Sequence, residues 1–135
     1  MTIERLTLDG VYELRDAGGR AYPQVIRVSG GTQVFLSGMV ALDADGALIG
    51  EGDMAAQAAA TYANVGQALS AAGAVAADVV SCTVFATDLD RYRRAGSPIA
   101  AEFFGETRPV STVVEVSRLA DPRYFLEVQV IAVVG

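Results

Sequence analysis

The chain has 135 residues, a formal net charge of −6, 52% hydrophobic residues and 19% charged residues. This composition is typical of a globular protein and excludes a disordered one, and we expect one domain over residues 1–135. The acidic balance, in which every basic residue is an arginine, argues against nucleic acid as a partner, because phosphate backbones require clustered positive charge.

Missing residue types exclude several kinds of chemistry. The sequence has no histidine, so a Ser-His-Asp triad and a histidine-ligated metal are excluded. It has no lysine, so Schiff-base catalysis through an amine is excluded as well. Cys82 is the only cysteine, and we expect buried packing for it rather than a disulfide. With no signal pattern at the start and no apolar run of about 18 residues, we predict a cytoplasmic protein without a membrane partner.

The first third of the chain predicts strands. Residues 1–16 alternate loosely between apolar and charged side chains, which indicates a short edge strand or arm. Residues 22–28 and 33–40 are rich in β-branched and aromatic side chains, and Gly30-Gly31 lies between them. This pattern predicts an antiparallel hairpin with its turn at the two glycines.

The middle third predicts two helices around one strand. Residues 53–73 have an apolar stripe at helical spacing, with Asp53 as candidate N-cap and Gly73 as candidate C′ residue. Residues 78–87 form a β-branched strand. A second helix is predicted to begin with Ser97 as N-cap and Pro98 at the first helical position, and to end at Phe104.

The last third predicts two strands, residues 110–116 and 124–134, joined by a turn. In the final strand the alternation places Glu127 and Gln129 opposite Leu126 and Val128. The order ββαβαββ predicts an α+β fold in which a mainly antiparallel sheet carries both helices on one face. We expect partner subunits to cover the other face.

Several strings now form a recognisable series. In chain order they are FLSGMVAL, the N-V-x-x-x-L-x-x-A-G ending at 64–73, TVFATDL, AEFFGE, RPVSTVVEVSRL and EVQVIAV. Over residues 20–134 this series resembles the Rid family, also called YjgF, which contains the reactive intermediate deaminases. The resemblance implies a chorismate-mutase-like fold in a homotrimer, with a central barrel and three clefts between subunits. It also implies water-driven hydrolysis of enamine or imine intermediates such as 2-aminoacrylate, with no metal or organic cofactor.

The resemblance assigns candidate roles to individual residues. The family's tyrosine falls on Tyr22, although the Gly-Pro that precedes it is replaced here, and the glutamate of its last strand falls on Glu127. The resemblance therefore makes these two residues catalytic candidates, with Glu127 positioning water and Tyr22 orienting the substrate. The family's Ser-Gly pair falls on Ser37 and Gly38, which are substrate-binding candidates through their backbone groups.

The family motif also changes at three positions. The arginine that forms a bidentate pair with the substrate carboxylate falls on Ser111, and a frequent cysteine falls on Val113. An asparagine of the deaminase members falls on Ser97. A serine hydroxyl carries no charge, and losing a desolvated arginine–carboxylate pair costs about 2–5 kcal/mol, or roughly 30- to 4000-fold in binding. Arg20 is the nearby residue that could supply a replacement charge.

The residues leave alternatives open. Ser111 indicates either a changed ligand or an interface serine in a decayed site, Glu127 either a water-positioning group or an interface ion pair, and Tyr22 either a substrate contact or an aromatic wall. For the whole protein, one hypothesis is an enamine or imine hydrolase that is not a standard 2-iminopropanoate deaminase. The other is a non-catalytic trimer that binds or senses a small molecule. A ribonuclease-like role is disfavoured by the acidic charge and the missing histidine.

Overall fold

The computed structural model describes residues 1–16 and 18–135. Its strands and helices confirm an α+β fold. In chain order they are β1 (Thr2–Leu6), β2 (Val25–Ser29), β3 (Thr32–Phe35), α1 (Met54–Ala71), a 3-10 turn (Ala76–Asp78), β4 (Val79–Ala86), α2 (Leu89–Arg91), a π-helical turn (Tyr92–Gly96), α3 (Ser97–Phe104), β5 (Val110–Glu115) and β6 (Leu126–Val134). We call residues 7–15, which follow β1, the arm. Within the described residues, no helix combines the length and apolarity needed to cross a membrane.

The strands form two sheets. The larger sheet has the order β3-β6-β4-β5, and only its β4–β5 pair is parallel. That pair is parallel because a helical segment connects the two strands and returns the chain to the end of the sheet where β4 begins. The smaller sheet is the antiparallel pair of β1 and β2.

The predicted hairpin of residues 22–28 and 33–40 is wrong. The structure pairs β2 with β1, and β3 with β6. Gly30 and Gly31 have φ angles of 74° and 84°, so they do turn the chain, but the turn carries it from the small sheet into the large one. Glycine predicts a change of direction, while the pairing partner depends on contacts far along the chain.

Helix α1 forms as its sequence predicts. The Asp53 side chain accepts a hydrogen bond from the Ala56 amide at 3.0 Å, and Gly73 has a φ of 72° just after the helix. Tyr62 and Leu69 on its apolar stripe are almost fully buried against the large sheet. Burying a leucine contributes about 1.5–3 kcal/mol, so this stripe fixes the position of α1 on the sheet.

Helix α3 spans the predicted residues, Ser97–Phe104, but the prediction that Ser97 is its N-cap is wrong. The helical chain begins at Leu89, where Asp88 caps it by accepting a hydrogen bond from the Arg91 amide at 2.9 Å. Ser97 has helical φ and ψ angles of −57° and −40°, and its amide bonds back to the Tyr92 carbonyl across the π-helical turn. Pro98 has no amide hydrogen to donate, and the wide turn before it lets the helix continue.

The two faces of the large sheet differ. Cys82 and Val84 of β4 are buried on the face that carries the helices, as is Val128 of β6. The opposite face, which we call the open face, carries half-buried side chains such as Phe85 and the exposed Gln129. The alternation predicted for the last strand is therefore confirmed.

Candidate functional site

A cleft of about 410 Å³ lies where the arm approaches the first halves of β4 and β5. Apolar and aromatic side chains of the arm form one wall. Tyr22, Pro23 and Gln24 form another, and residues of the two strands form the floor. The lining residues are Leu8, Val11, Tyr12, Leu14, Tyr22, Pro23, Gln24, Ser81, Cys82, Thr83, Val110, Ser111 and Thr112.

The uncharged character of this cleft is its main chemical property. Among the described residues, none that lines it carries a charged side chain. Its polar lining residues are neutral: four carry hydroxyl side chains, Ser81, Thr83, Ser111 and Thr112, and Gln24 carries an amide. Hydroxyls can donate and accept hydrogen bonds with a neutral molecule, but they do not balance the charge of a desolvated carboxylate.

Tyr22 and Ser111 are the two predicted site residues that the structure brings together. Both line the cleft, and Tyr22 is half-buried while Ser111 is exposed. Burial raises the pKa of the Tyr22 phenol, and the positive charge of Arg108 opposes this shift. The phenol therefore stays protonated at neutral pH and can act as a hydrogen-bond donor.

Val113 lies two residues beyond Ser111 on the same edge strand. The register pairs Ser111 with Cys82 and Val113 with Val84, so both belong to the helix-bearing side of the sheet. Val113 is 36% exposed, but it does not line the cleft within the described part of the chain. The cleft therefore reaches the beginning of β5 and not its middle.

Glu127 lies on the other side of the sheet. It pairs with Phe85 of β4, three positions after Cys82, so its side chain projects from the open face. The carboxylate packs on Gly38, where an added Cβ atom would overlap with Glu127 Oε2. A side chain at position 38 would therefore require the Glu127 side chain to move. Glu127, Gly38 and the exposed Ser37 do not line the cleft within the described residues of one chain.

Arg20 does not line the cleft in the described chain. Its guanidinium donates from Nη1 to the Gly105 carbonyl at 3.3 Å, and its amide donates to Asp16 Oδ1 at 2.9 Å. The residue is exposed and is not among the residues that line the cleft. Its observed contacts tie the end of the arm to the end of α3.

A buried ion pair supports the cleft from behind. Arg108 Nη2 bonds to Asp16 Oδ2, with side-chain exposures of 5% and 10%, and the Arg108 guanidinium lies 5.5 Å from the centre of the Tyr22 ring. The hydrogen bond from the Arg20 amide lowers the pKa of Asp16, and the charge of Arg108 adds to this effect. The pair therefore positions Tyr22 and the end of the arm, while the charge of Arg108 is balanced internally.

Cys82 is a poor nucleophile. It lines the cleft but is only 3% exposed, and burial raises the pKa of its thiol to about 12. The reactive thiolate is therefore scarce at neutral pH. Among the described residues, no three acidic or cysteine side chains gather in a way that could hold a metal ion.

Sequence reasoning missed the arm as a wall of the site and missed Gln24. Both ends of the Gln24 amide bind the arm: Oε1 accepts from the Leu8 amide at 2.8 Å, and Nε2 donates to the Val11 and Tyr12 carbonyls at 3.3 and 3.0 Å. The available signal was its position two residues after Tyr22, in a segment that already matched the family pattern. The arm itself carried no motif.

Comparison with known proteins identifies related chains. A family model described as endoribonuclease L-PSP matches residues 16–134. The chain is 36% identical over 98 residues to a RutC family protein of Pyrococcus abyssi, covering 73% of this chain and 75% of the relative. It is 35% identical over 114 residues to a 2-iminobutanoate/2-iminopropanoate deaminase of Salmonella typhimurium, covering 82% and 87%. The solved structure of Escherichia coli TdcF with bound serine matches with a TM-score of 0.70 and 32% identity, covering 80% of this chain and 85% of that one.

Proposed function

Because the chain belongs to the endoribonuclease L-PSP family, to which the YjgF and Rid proteins belong, we propose that it binds a small uncharged metabolite in the cleft. One observation carries the proposal: the described lining has hydroxyls and apolar groups but no charged side chain. Ser111 stands there at the position where the family resemblance expects an arginine.

The names of two relatives refer to molecules with a charged group, in contrast to the neutral ligand proposed here. The Salmonella deaminase is named for 2-imino acids, and TdcF was solved with serine, so both names refer to molecules with a carboxylate. This chain has the same fold, but its uncharged cleft does not compensate a desolvated anion. A neutral ligand such as an amide, ketone or alcohol can use the same hydroxyls without that cost.

We also propose that three copies form a homotrimer in the cytoplasm and that neighbouring copies complete the cleft. Exposed apolar side chains on the open face, such as Phe35 at 68% exposure, support the association. The single free thiol of Cys82 is compatible with a reducing compartment.

Hydrolysis of an enamine or imine is the second candidate function. Water would add to the imine carbon, the C–N bond would break, and a ketone and ammonia would leave. The observation that favours it is the half-buried Glu127 carboxylate, which has no hydrogen-bond partner among the described side chains and can hold a water. The alternative is a binding or sensing protein without turnover.

The binding proposal is tested with two probes that have nearly the same shape and differ in charge. We expect the protein to bind benzamide at least tenfold more tightly than benzoate, because only benzoate must lose hydration around a full charge. Ser111→Arg should reverse this order by restoring a charged anchor. Ser117→Arg, at an exposed position outside the lining, is the matched control and should leave the order unchanged. NMR chemical-shift titration measures both affinities, and equal binding of benzoate by the unmodified protein would refute the proposal.

The deaminase activity is tested by ammonia release from imino acids that an amino-acid oxidase generates. We expect the unmodified protein to add nothing to the rate of the oxidase alone, because the carboxylate lacks its anchor. Ser111→Arg should raise the rate, and adding Glu127→Gln to it should remove the gain, whereas adding the exposed Glu102→Gln should not. If the unmodified protein accelerates ammonia release and Glu127→Gln abolishes this, the hydrolase is the correct function.

A further inference from the structure

The arm contributes a large apolar part of the cleft, although the family model begins only after it. The family model begins at residue 16, while four lining side chains belong to the arm. These are Leu8, Val11, Tyr12 and Leu14, which are 45%, 53%, 84% and 66% exposed. Apolar side chains with this exposure can still bury surface against a ligand.

The arm is held at both ends and in the middle. At its start β1 pairs with β2 over all five residues of each strand. In the middle the Gln24 side chain bonds the backbone of Leu8, Val11 and Tyr12. At its end the Tyr22 amide donates to the Leu14 carbonyl at 3.0 Å, and Asp16 binds Arg108. These contacts give the exposed apolar side chains a defined position opposite the strand floor.

We propose that the arm is the specificity-determining wall of the cleft, and that it selects a ligand with an aromatic or branched apolar body attached to an uncharged hydrogen-bonding group. The apolar body lies against the arm and the polar group against the hydroxyls of β4 and β5. Gln24 is the positioning residue, because its amide fixes the arm without contributing charge. The inference rests on the proposed binding function and names the chemical class of its ligand.

The physical basis is the area that the arm can cover. A phenyl ring that loses about 100 Å² of exposed apolar surface gains roughly 10- to 100-fold in affinity at about 25 cal/mol per Å². A methyl group in the same place covers a small part of that area. The arm therefore predicts a preference for size and apolarity that is separate from the preference for neutral charge.

The test compares acetamide with benzamide, which share the amide and differ in the apolar body. We expect benzamide to bind at least tenfold more tightly, and Gln24→Ala to remove most of this ratio. Gln67→Ala, an exposed glutamine on α1, is the control and should keep the ratio. Affinities come from NMR titration, and thermal unfolding checks that each variant is folded.

A second pair of variants keeps the test informative if Gln24→Ala does not fold. Tyr12→Ala should lower the benzamide-to-acetamide ratio, and Tyr12→Phe should keep it, since the ring and not the hydroxyl supplies the contact. Failure of both amides to bind the unmodified protein would reject the proposed function itself. Benzamide binding with a ratio that Gln24→Ala and Tyr12→Ala leave unchanged would overturn only the role of the arm. A change in molecular mass on Tyr12→Ala, with the ratio intact, would identify the arm as an interface between copies and overturn the proposal.

Discussion

Arg108 and Ser111 lie three positions apart and show why this cleft is uncharged. Arg108 is 4% exposed, and its charge is balanced by Asp16, so it supports the Tyr22 ring instead of meeting a ligand. Ser111 reaches the cleft but has no charge to offer. Arg20 is likewise engaged at the Gly105 carbonyl. Within the described residues, the positive charges near the site serve the architecture of the walls.

The Asp16–Arg108 pair should therefore affect stability in a pH-dependent way. Asp16→Asn keeps the shape of the side chain but leaves the Arg108 charge unbalanced, so we expect a loss of about 2 kcal/mol in the free energy of unfolding near pH 7. The pKa of Asp16 is lowered below its ordinary value of 3.8 in the folded protein. Its contribution is thus complete above that value and is lost as the pH falls through the lowered pKa.

Urea unfolding of both proteins between pH 7 and pH 2 measures this effect. The difference between the unmodified protein and Asp16→Asn should shrink as the solution becomes acidic. Asp121→Asn is the control, because Asp121 forms an exposed pair with Arg123 at 2.8 Å and hydrogen bonds from Arg123 lower its pKa to about 2. Water and salt screen that exposed pair, so the change at pH 7 should be much smaller. A difference for Asp16→Asn that stays constant with pH would contradict the assignment.

Among the helices and strands, the sequence predicts correctly those whose signals lie within one continuous segment. Helix α1 has its cap, its stripe and its terminal glycine within one continuous segment, and β6 alternates between Val128 on one face and Gln129 on the other. The pairing of β2 could not be predicted in this way, since Gly30-Gly31 fits a hairpin as well as a passage between sheets. Ser97-Pro98 likewise fits a helix start, yet the π-helical turn before it lets an existing helix continue.

The residues of the candidate site likewise differ in whether a local motif predicts them. Ser111 and Tyr22 could be chosen because each matches a position in a family motif, and both line the cleft. The arm could not be predicted as part of the site from the sequence. It is held on the cleft by hydrogen bonds to Gln24, which is 12 to 16 residues away in the chain. Local sequence patterns do not indicate hydrogen bonds between residues so far apart. The relation of Glu127 to the cleft also depends on strand register, which pairs it with Phe85 on the open face.

The folded chain exposes more surface to solvent than is usual for a monomer of its mass. A folded monomer of 14.0 kDa is expected to expose about 6,700 Å², whereas this chain exposes 7441 Å². The arm and the open face of the large sheet both contribute exposed apolar side chains, which include Tyr12 and Phe35. Association between copies would remove such surface from water. Strand β5 lies at the edge of the large sheet, and its outer edge is unpaired in the described chain.

The homotrimer is tested by its mass and by a charge placed on the open face. We expect light scattering at micromolar concentration to give three copies of 14.0 kDa, about 42 kDa. Phe35→Arg should shift the mass toward one copy, because a buried, unpaired guanidinium at an apolar contact costs several kcal/mol. Gln67→Arg, on the exposed side of α1, should leave the mass unchanged. If Phe35→Arg also weakens benzamide binding while the fold is retained, neighbouring copies complete the cleft. A mass near 14 kDa for the unmodified protein would contradict the trimer, and the cleft would then have to function within one chain.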